Sequence, residues 1–243
     1  MIEKIYCYIL NKIRESYWIT LMIFKLKINR KKLALNWDMT TIVMKKAVDR
    51  YIADGNKEIF EMGVGHIGII AQYIKKIYPS NIISGCDIYE EFVQNALYNA
   101  ALNNLEINYF VTNAEEFSKK NKGGFDLITC MELLEHVPDP LSIIKVSKKM
   151  IKSGGHIIFS TINRNIKSYI LAILAGEYLL NLLPKGTHRY EKFIMPSELI
   201  SWCNQYKLRT NDLSAIKYNP IIKTCSLTGR PDVNYILDVI SDD

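Results

Sequence analysis

No stretch of this chain reaches the roughly 18–20 uncharged apolar residues that a membrane-spanning helix needs. The longest apolar run near the start, Tyr17 to Phe24, is interrupted by Thr20 and followed by Lys25. It lacks a small-residue cleavage site and does not read as a signal peptide. Cysteines are few and scattered: Cys7, Cys86, Cys130, Cys203 and Cys225 are odd in number and form no C-x-x-C spacing. That argues against a disulfide framework and a zinc finger, and for a reducing cytosol. Internal repeats and low-complexity tracts are also missing, so neither organises the chain.

An acidic balance is lacking too. The formal charge is +6 over 243 residues, and residues 1–32 account for it with eight Lys or Arg against Glu3 and Glu15. The remainder is near neutral. This basic arm carries Tyr6, Tyr8, Tyr17, Trp18 and Phe24. It reads either as a surface for anionic lipid or nucleic acid, or as a solvated basic helix packed on the core by its aromatics. With 49% apolar residues, the chain can bury one substantial core. The expected organisation is an N-terminal helical extension over 1–54, with helical regions at 1–28 and 33–54, and one α/β domain over 55–243.

The domain is organised around residues 57–68. Ile59, Phe60 and Met62 form a short apolar run suited to a buried parallel strand. Gly63 and Gly65 then allow a sharp turn with close backbone approach to a ligand. Ile67 to Ile77 follows as a helix, with Ile67, Ile69, Ile70, Ile74 and Ile77 apolar and Lys75 and Lys76 outward. Strand, glycine turn and helix N-terminus make a nucleotide-type site at the carboxyl edge of a sheet. Gly63, Gly65 and Gly68 literally spell the dinucleotide pattern G-x-G-x-x-G, which keeps a nicotinamide oxidoreductase as an alternative. Glu61, two residues before Gly63, points instead to the acid-x-Gly-x-Gly strand end of S-adenosylmethionine (SAM) methyltransferases, where the acid faces the cationic methionine end.

Further strands follow at Ile82–Asp87, Ile107–Val111, Phe125–Cys130 and His156–Thr161, the last after a turn at Lys152-Ser153-Gly154-Gly155. Helices are expected at Glu90–Asn103, Leu141–Ile151 and from Pro196 through Asn204. Four βα units of this kind predict a doubly wound, mostly parallel sheet, closed by late strands at Asp212–Tyr218 and Asn234–Val239 as an antiparallel pair. Asp87 lies 19 residues after Gly68, an offset at which a carboxylate accepts both ribose hydroxyls of an adenosine; the alternative is a helix cap. Asn113-Ala114-Glu115 falls where an adenine-contacting polar residue would sit. Residues 163–193 interrupt the βα pattern. Within them Tyr169–Leu183 is apolar nearly all round, with Glu177 its one charge. Such a helix is expected to be buried or to lie in a membrane interface, and it is too short to span.

Met131-Glu132-Leu133-Leu134-Glu135-His136 sits just past the fourth strand, on the same edge as the glycine turn. Two carboxylates and an imidazole so close together could hold a hard divalent ion or act as base for a phenolic proton; an acid pair starting a helix beside a capping His is the plainer alternative. Cys130 to Pro140, Phe159 to Ser168, Pro184-Lys-Gly-Thr-His, Lys192-Phe-Ile and Asp232-Val-Asn-Tyr occur in order. Together they resemble the ubiquinone-biosynthesis O-methyltransferases, which methylate polyprenylated catechols and phenols. The resemblance covers roughly 57–240 and implies a class I SAM-methyltransferase fold, Rossmann-like, with an antiparallel last strand. It implies SAM contacts at Gly63, Asp87 and Met131, to which the residue reading adds Glu61 and Gly65. It implies Mg2+ ligands at Glu132, Glu135 and His136, the same residues being the catalytic candidates. The family's lipid-facing segment matches the apolar insertion, so the expected setting is cytoplasmic, peripheral on the inner face of the membrane, with 169–183 against anionic lipid. Other quinone-biosynthesis enzymes are expected partners, and nucleic acid is the disfavoured one. Methylation of another substrate such as RNA, and a non-catalytic scaffold of the pathway, stay open as alternatives. Val64, His66 and Ile67 depart from the family's glycine turn, and its N-terminal Trp-Trp-Asp element is reduced to Asn36-Trp37-Asp38.

Overall fold

A computed structural model describes residues 48–49, 52, 56–65, 68–170, 189–219 and 224–242. The basic arm, most of the expected second helical region, His66, Ile67 and the apolar stretch beyond Ile170 lie outside the described residues.

Alternation of apolar side chains with turn residues builds the first half. Strand β1 (Glu58–Met62) leads through the glycine turn into helix α1 (Ile69–Ile77), and β2 (Ile82–Asp87) into α2 (Glu90–Leu102). Strand β3 (Asn108–Val111) is followed by α3 (Ala114–Lys120), which was not expected from the sequence. Asn113, anticipated as an adenine contact, caps that helix by accepting from Glu116 N at 2.7 Å. Glu115 and Glu116 in the first turn and Lys119 and Lys120 in the last complement the helix dipole. Strand β4 (Phe125–Met131) precedes α4 (Pro140–Met150), whose start is set by Pro140 and by Asp139 accepting from Leu141 N at 3.0 Å. Strand β5 runs from Ile151 to Ile162. The turn expected at 152–155 is taken up within it: Phe125 pairs with Ile151 but Leu127 pairs with His156, so the extra residues bulge out of the ladder.

Helix α5 (Pro196–Gln205) and three strands complete the chain: β6 (Leu208–Asn219), β7 (Thr224–Thr228) and β8 (Asn234–Ser241). The sheet order is β3-β2-β1-β4-β5-β8-β6-β7. Pairings from β3 to β5 are parallel, whereas β8, β6 and β7 run antiparallel. The doubly wound α/β expectation holds; the antiparallel section has three strands, with β8 inserted between β5 and β6, one more than the pair expected. Both faces are covered. Phe60, Met62, Ile128, Ile157 and Phe159 join Ile144, Leu199 and Cys203 in one core, while Ile59, Ile83, Leu127 and Ile158 join Ile70, Ile74, Val93, Ala96, Val48 and Ile52 in the other. Burial on both sides explains why these strands read as continuous apolar runs. The insertion leaves and re-enters the sheet beside Ile162: Asn163 N donates to Val233 O at 2.7 Å, and Ile194 N to Ile162 O at 3.0 Å. Lys167 pairs with Asp232 at 2.6 Å.

Candidate active site

Two turns meet at the carboxyl ends of β1, β4 and β5. In the first, Gly63 N and Val64 N both donate to Cys86 O, at 3.0 and 3.1 Å, which folds the turn back over β2. Gly63 has φ +75, and a Cβ there would lie 3.1 Å from a Leu133 methyl of the second turn, so the two turns are in contact. Gly68 caps α1 at φ +58, where a Cβ would lie 2.3 Å from Tyr109 Oη.

The expected cofactor residues come together here. Asp87 Oδ2 accepts from Gly65 N at 3.0 Å, and Oδ1 accepts from Tyr89 N, also at 3.0 Å. This one carboxylate braces the approach to α2 and ties it to the glycine turn. Each oxygen keeps a second lone pair for a ligand hydroxyl. Glu61 is buried, and its Oε2 accepts from Ala71 N at 3.2 Å in the first turn of α1. Burial pushes its carboxyl up to about 8, against the opposing Ala71 bond and with the Asp87 charge adding to the rise. A buried acid under a helix N-terminus, held mostly neutral, is poised to ionise beside a cation. Met131 ends β4 and packs in the same core cluster as Val64 and Ile70. Together these groups fit the sulfonium end and ribose of SAM.

The second turn starts at Glu132, whose φ of +49 is left-handed, an uncommon backbone for a glutamate. Ser160 holds it there: Glu132 N donates to Ser160 O and to Ser160 Oγ, both at 3.0 Å. Ser160 Oγ donates in return to Glu132 Oε1 at 2.8 Å, and Asn234 Nδ2 to Glu132 Oε2 at 3.3 Å. Thr161 Oγ1 donates to Glu135 Oε2 at 2.8 Å. The Glu132 and Glu135 carboxyls lie close enough to influence each other's ionisation. Burial raises both, and the Glu132 charge raises Glu135 further, as two acids sharing one site must. An oxygen-only, potentially dianionic pair suits a hard cation. His136 does not join it. It is exposed, its backbone N–H bonds to Leu133 O at 2.9 Å, and no three His, Cys, Asp or Glu side chains form a metal-holding group among the described residues. Ser160, Thr161 and Asn234 belong to the motifs quoted for the family resemblance. Their contacts with the glutamates carry no local signal in the sequence, because only strand pairing brings β5 and β8 to this turn.

A glycine turn over an acid-ended β2, with a largely enclosed acid pair at the neighbouring strand end, defines a SAM-dependent methyltransferase. Residues 40–211 match the family described as Methyltransferase domain. Over 227 residues the chain is 36% identical to a ubiquinone biosynthesis O-methyltransferase of Aromatoleum aromaticum, covering 93% of this chain and 92% of that one. Over 180 residues it is 45% identical to the protein of that name from Colwellia psychrerythraea, covering 74% and 72%. The chain belongs to the ubiquinone biosynthesis O-methyltransferase family. Its fold is shared by a SAM-dependent methyltransferase from Thermotoga maritima, at TM-score 0.62 and 15% identity over 92% of this chain and 99% of that one. It is shared as well by one from Aquifex aeolicus, at TM-score 0.57 and 13% identity over 81% and 88%. No helix among the described residues is long and apolar enough to cross a membrane.

Proposed function

We propose that this chain transfers the methyl group of SAM to a hydroxyl of a polyprenylated phenol or catechol on the ubiquinone pathway. The observation that carries this reading is the Glu132–Glu135 carboxyl pair, Glu135 buried and Glu132 half-buried, set against the glycine turn through the Leu133–Gly63 contact. Glu61, Gly63, Gly65, Asp87 and Met131 hold the methyl donor, which supplies an electrophilic carbon on a sulfonium. The acceptor hydroxyl, with a pKa near ~10, is a poor nucleophile until it loses its proton. A carboxyl pair raised by burial is a better matched base for that proton than an ordinary carboxylate. Glu132 and Glu135 would hold Mg2+, whose charge would favour the phenolate. The two touching turns then orient acceptor oxygen and methyl carbon at one sheet edge.

The tail of such a substrate belongs in a bilayer, so the enzyme works at the cytoplasmic membrane surface. Tyr169 and Ile170 are exposed where the insertion departs from the sheet. The sequence beyond them supplies the apolar face, with Lys167, Lys185, Arg189 and Lys192 beside it for anionic head groups.

The decisive experiment is the double variant Glu132→Gln, Glu135→Gln, assayed on demethylated quinone precursors. Activity should be lost while S-adenosylhomocysteine binding by calorimetry stays within a few fold. Normal turnover by the variant would remove the acid pair from the mechanism.

A further inference from the structure

Three of the four oxygens of the Glu132–Glu135 pair take hydrogen bonds from side chains outside their own turn: Ser160, Thr161 and Asn234. Ser160 and Thr161 have no exposed surface. Successive residues of a strand face opposite sides of the sheet, so the two hydroxyls reach the turn from either side. Asn234 opens β8 and pairs with Ile162 and Ile216, which brings the last strand to a turn 102 residues earlier in the chain. The same Ser160 that donates to the Glu132 carboxyl also holds that residue's left-handed backbone.

An acid pair withdrawn this far from water is hard to explain by packing alone, since apolar residues of the same volume are commonly as stable or more so. Donors on three of its oxygens do something packing does not. They fix the plane of each carboxyl and so the directions of the lone pairs left over. We infer that Ser160, Thr161 and Asn234 are positioning residues that aim the Glu132 and Glu135 carboxyls at a cation and at the acceptor hydroxyl. The inference rests on the reading given under Proposed function. None of the three touches the reacting atoms; each acts through a glutamate.

The test compares Asn234→Ala, Ser160→Ala, Thr161→Val and Thr161→Ser with wild type and Glu132→Gln. Methyl transfer is measured with kcat and KM separated, and Mn2+ binding is measured by calorimetry without acceptor. Asn234→Ala, Ser160→Ala and Thr161→Val should each lose about 10–100-fold in kcat and in Mn2+ affinity. KM for SAM should stay within about threefold, and Thr161→Ser, which keeps the hydroxyl, should return close to wild type. Should Thr161→Val fail to fold, the half-buried Asn234 carries the comparison. Wild-type kcat and Mn2+ affinity in Asn234→Ala, beside an inactive Glu132→Gln, overturns the positioning role and leaves the acid pair in place. Normal turnover by Glu132→Gln overturns the acid pair itself, and this inference with it.

Discussion

Tyr109 Oη donates to Gly68 O at 3.2 Å, and a Cβ on Gly68 would sit 2.3 Å from that same oxygen. The side chain of the edge strand β3 thus fills the space under the glycine turn that a larger residue would need. Tyr109 is buried and cannot swing aside cheaply. Gly68→Ala should therefore destabilise the domain by about 2–4 kcal/mol in urea unfolding, from overpacking and a positive φ together. Tyr109→Phe should cost about 1 kcal/mol for the lost hydrogen bond. In the Tyr109→Phe background the alanine should cost less but still be felt, because Tyr109 Cζ would lie 2.8 Å from the new Cβ.

Glu61 predicts a pH dependence of stability. Its carboxyl is raised from 4.5 to about 8 in the fold. Across that window folded Glu61 keeps a proton that unfolded Glu61 has already released. Its contribution is therefore full below about pH 4.5, falls as pH rises, and levels off above about 8, with a total of about 5 kcal/mol at most. Glu61→Gln should flatten the stability profile of the free protein over this range. The Glu132–Glu135 pair adds a fall of the same sign that survives the substitution. An unchanged slope in Glu61→Gln would mean that the buried acid is ionised in the fold.

Asp87 predicts a split between its two partners. Asp87→Ala removes the acceptor for both Gly65 N and Tyr89 N, and S-adenosylhomocysteine affinity should fall about 10–100-fold, as when a site's polar partner is left unpaired. Asp87→Asn keeps one carbonyl acceptor and should lose less. Calorimetry checks both, and equal affinity in all three proteins would take Asp87 out of the cofactor site.

The membrane setting predicts that the wild type floats with anionic liposomes. A Leu174→Glu, Leu179→Glu variant should stay in solution while still binding S-adenosylhomocysteine. An inserted apolar face is worth several kcal/mol at ~25 cal/mol per Å², and two buried charges offset much of that. A variant that unfolds would instead assign the stretch to the core.

Much of the site was legible because its signals are local. An apolar run ending in Glu61-x-Gly63-x-Gly65, a second ending in Asp87 and a third running into Met131–His136 each mark a strand end. Parallel strands with helical crossovers bring such ends to one edge, whatever the order of the strands. The glycines within 152–155 are local turn signals that mark a boundary in the sequence, whereas the ladder carries β5 past them as a bulge. Helix α3 is only seven residues long, too short for a periodic pattern to announce.

What the sequence by itself determined is the set of strand ends, the family resemblance and the identity of the acids, since periodicity and turn chemistry act over a few residues. Only the tertiary structure decided that β8 lies between β5 and β6, that Asn234 and Ser160 share the Glu132 carboxyl, and that His136 stands apart from the pair. It also decided that burial raises the Glu61 carboxyl. Those outcomes depend on pairing between residues up to 102 apart and on the water excluded when two faces of a sheet are covered, and neither is written in any short stretch of chain.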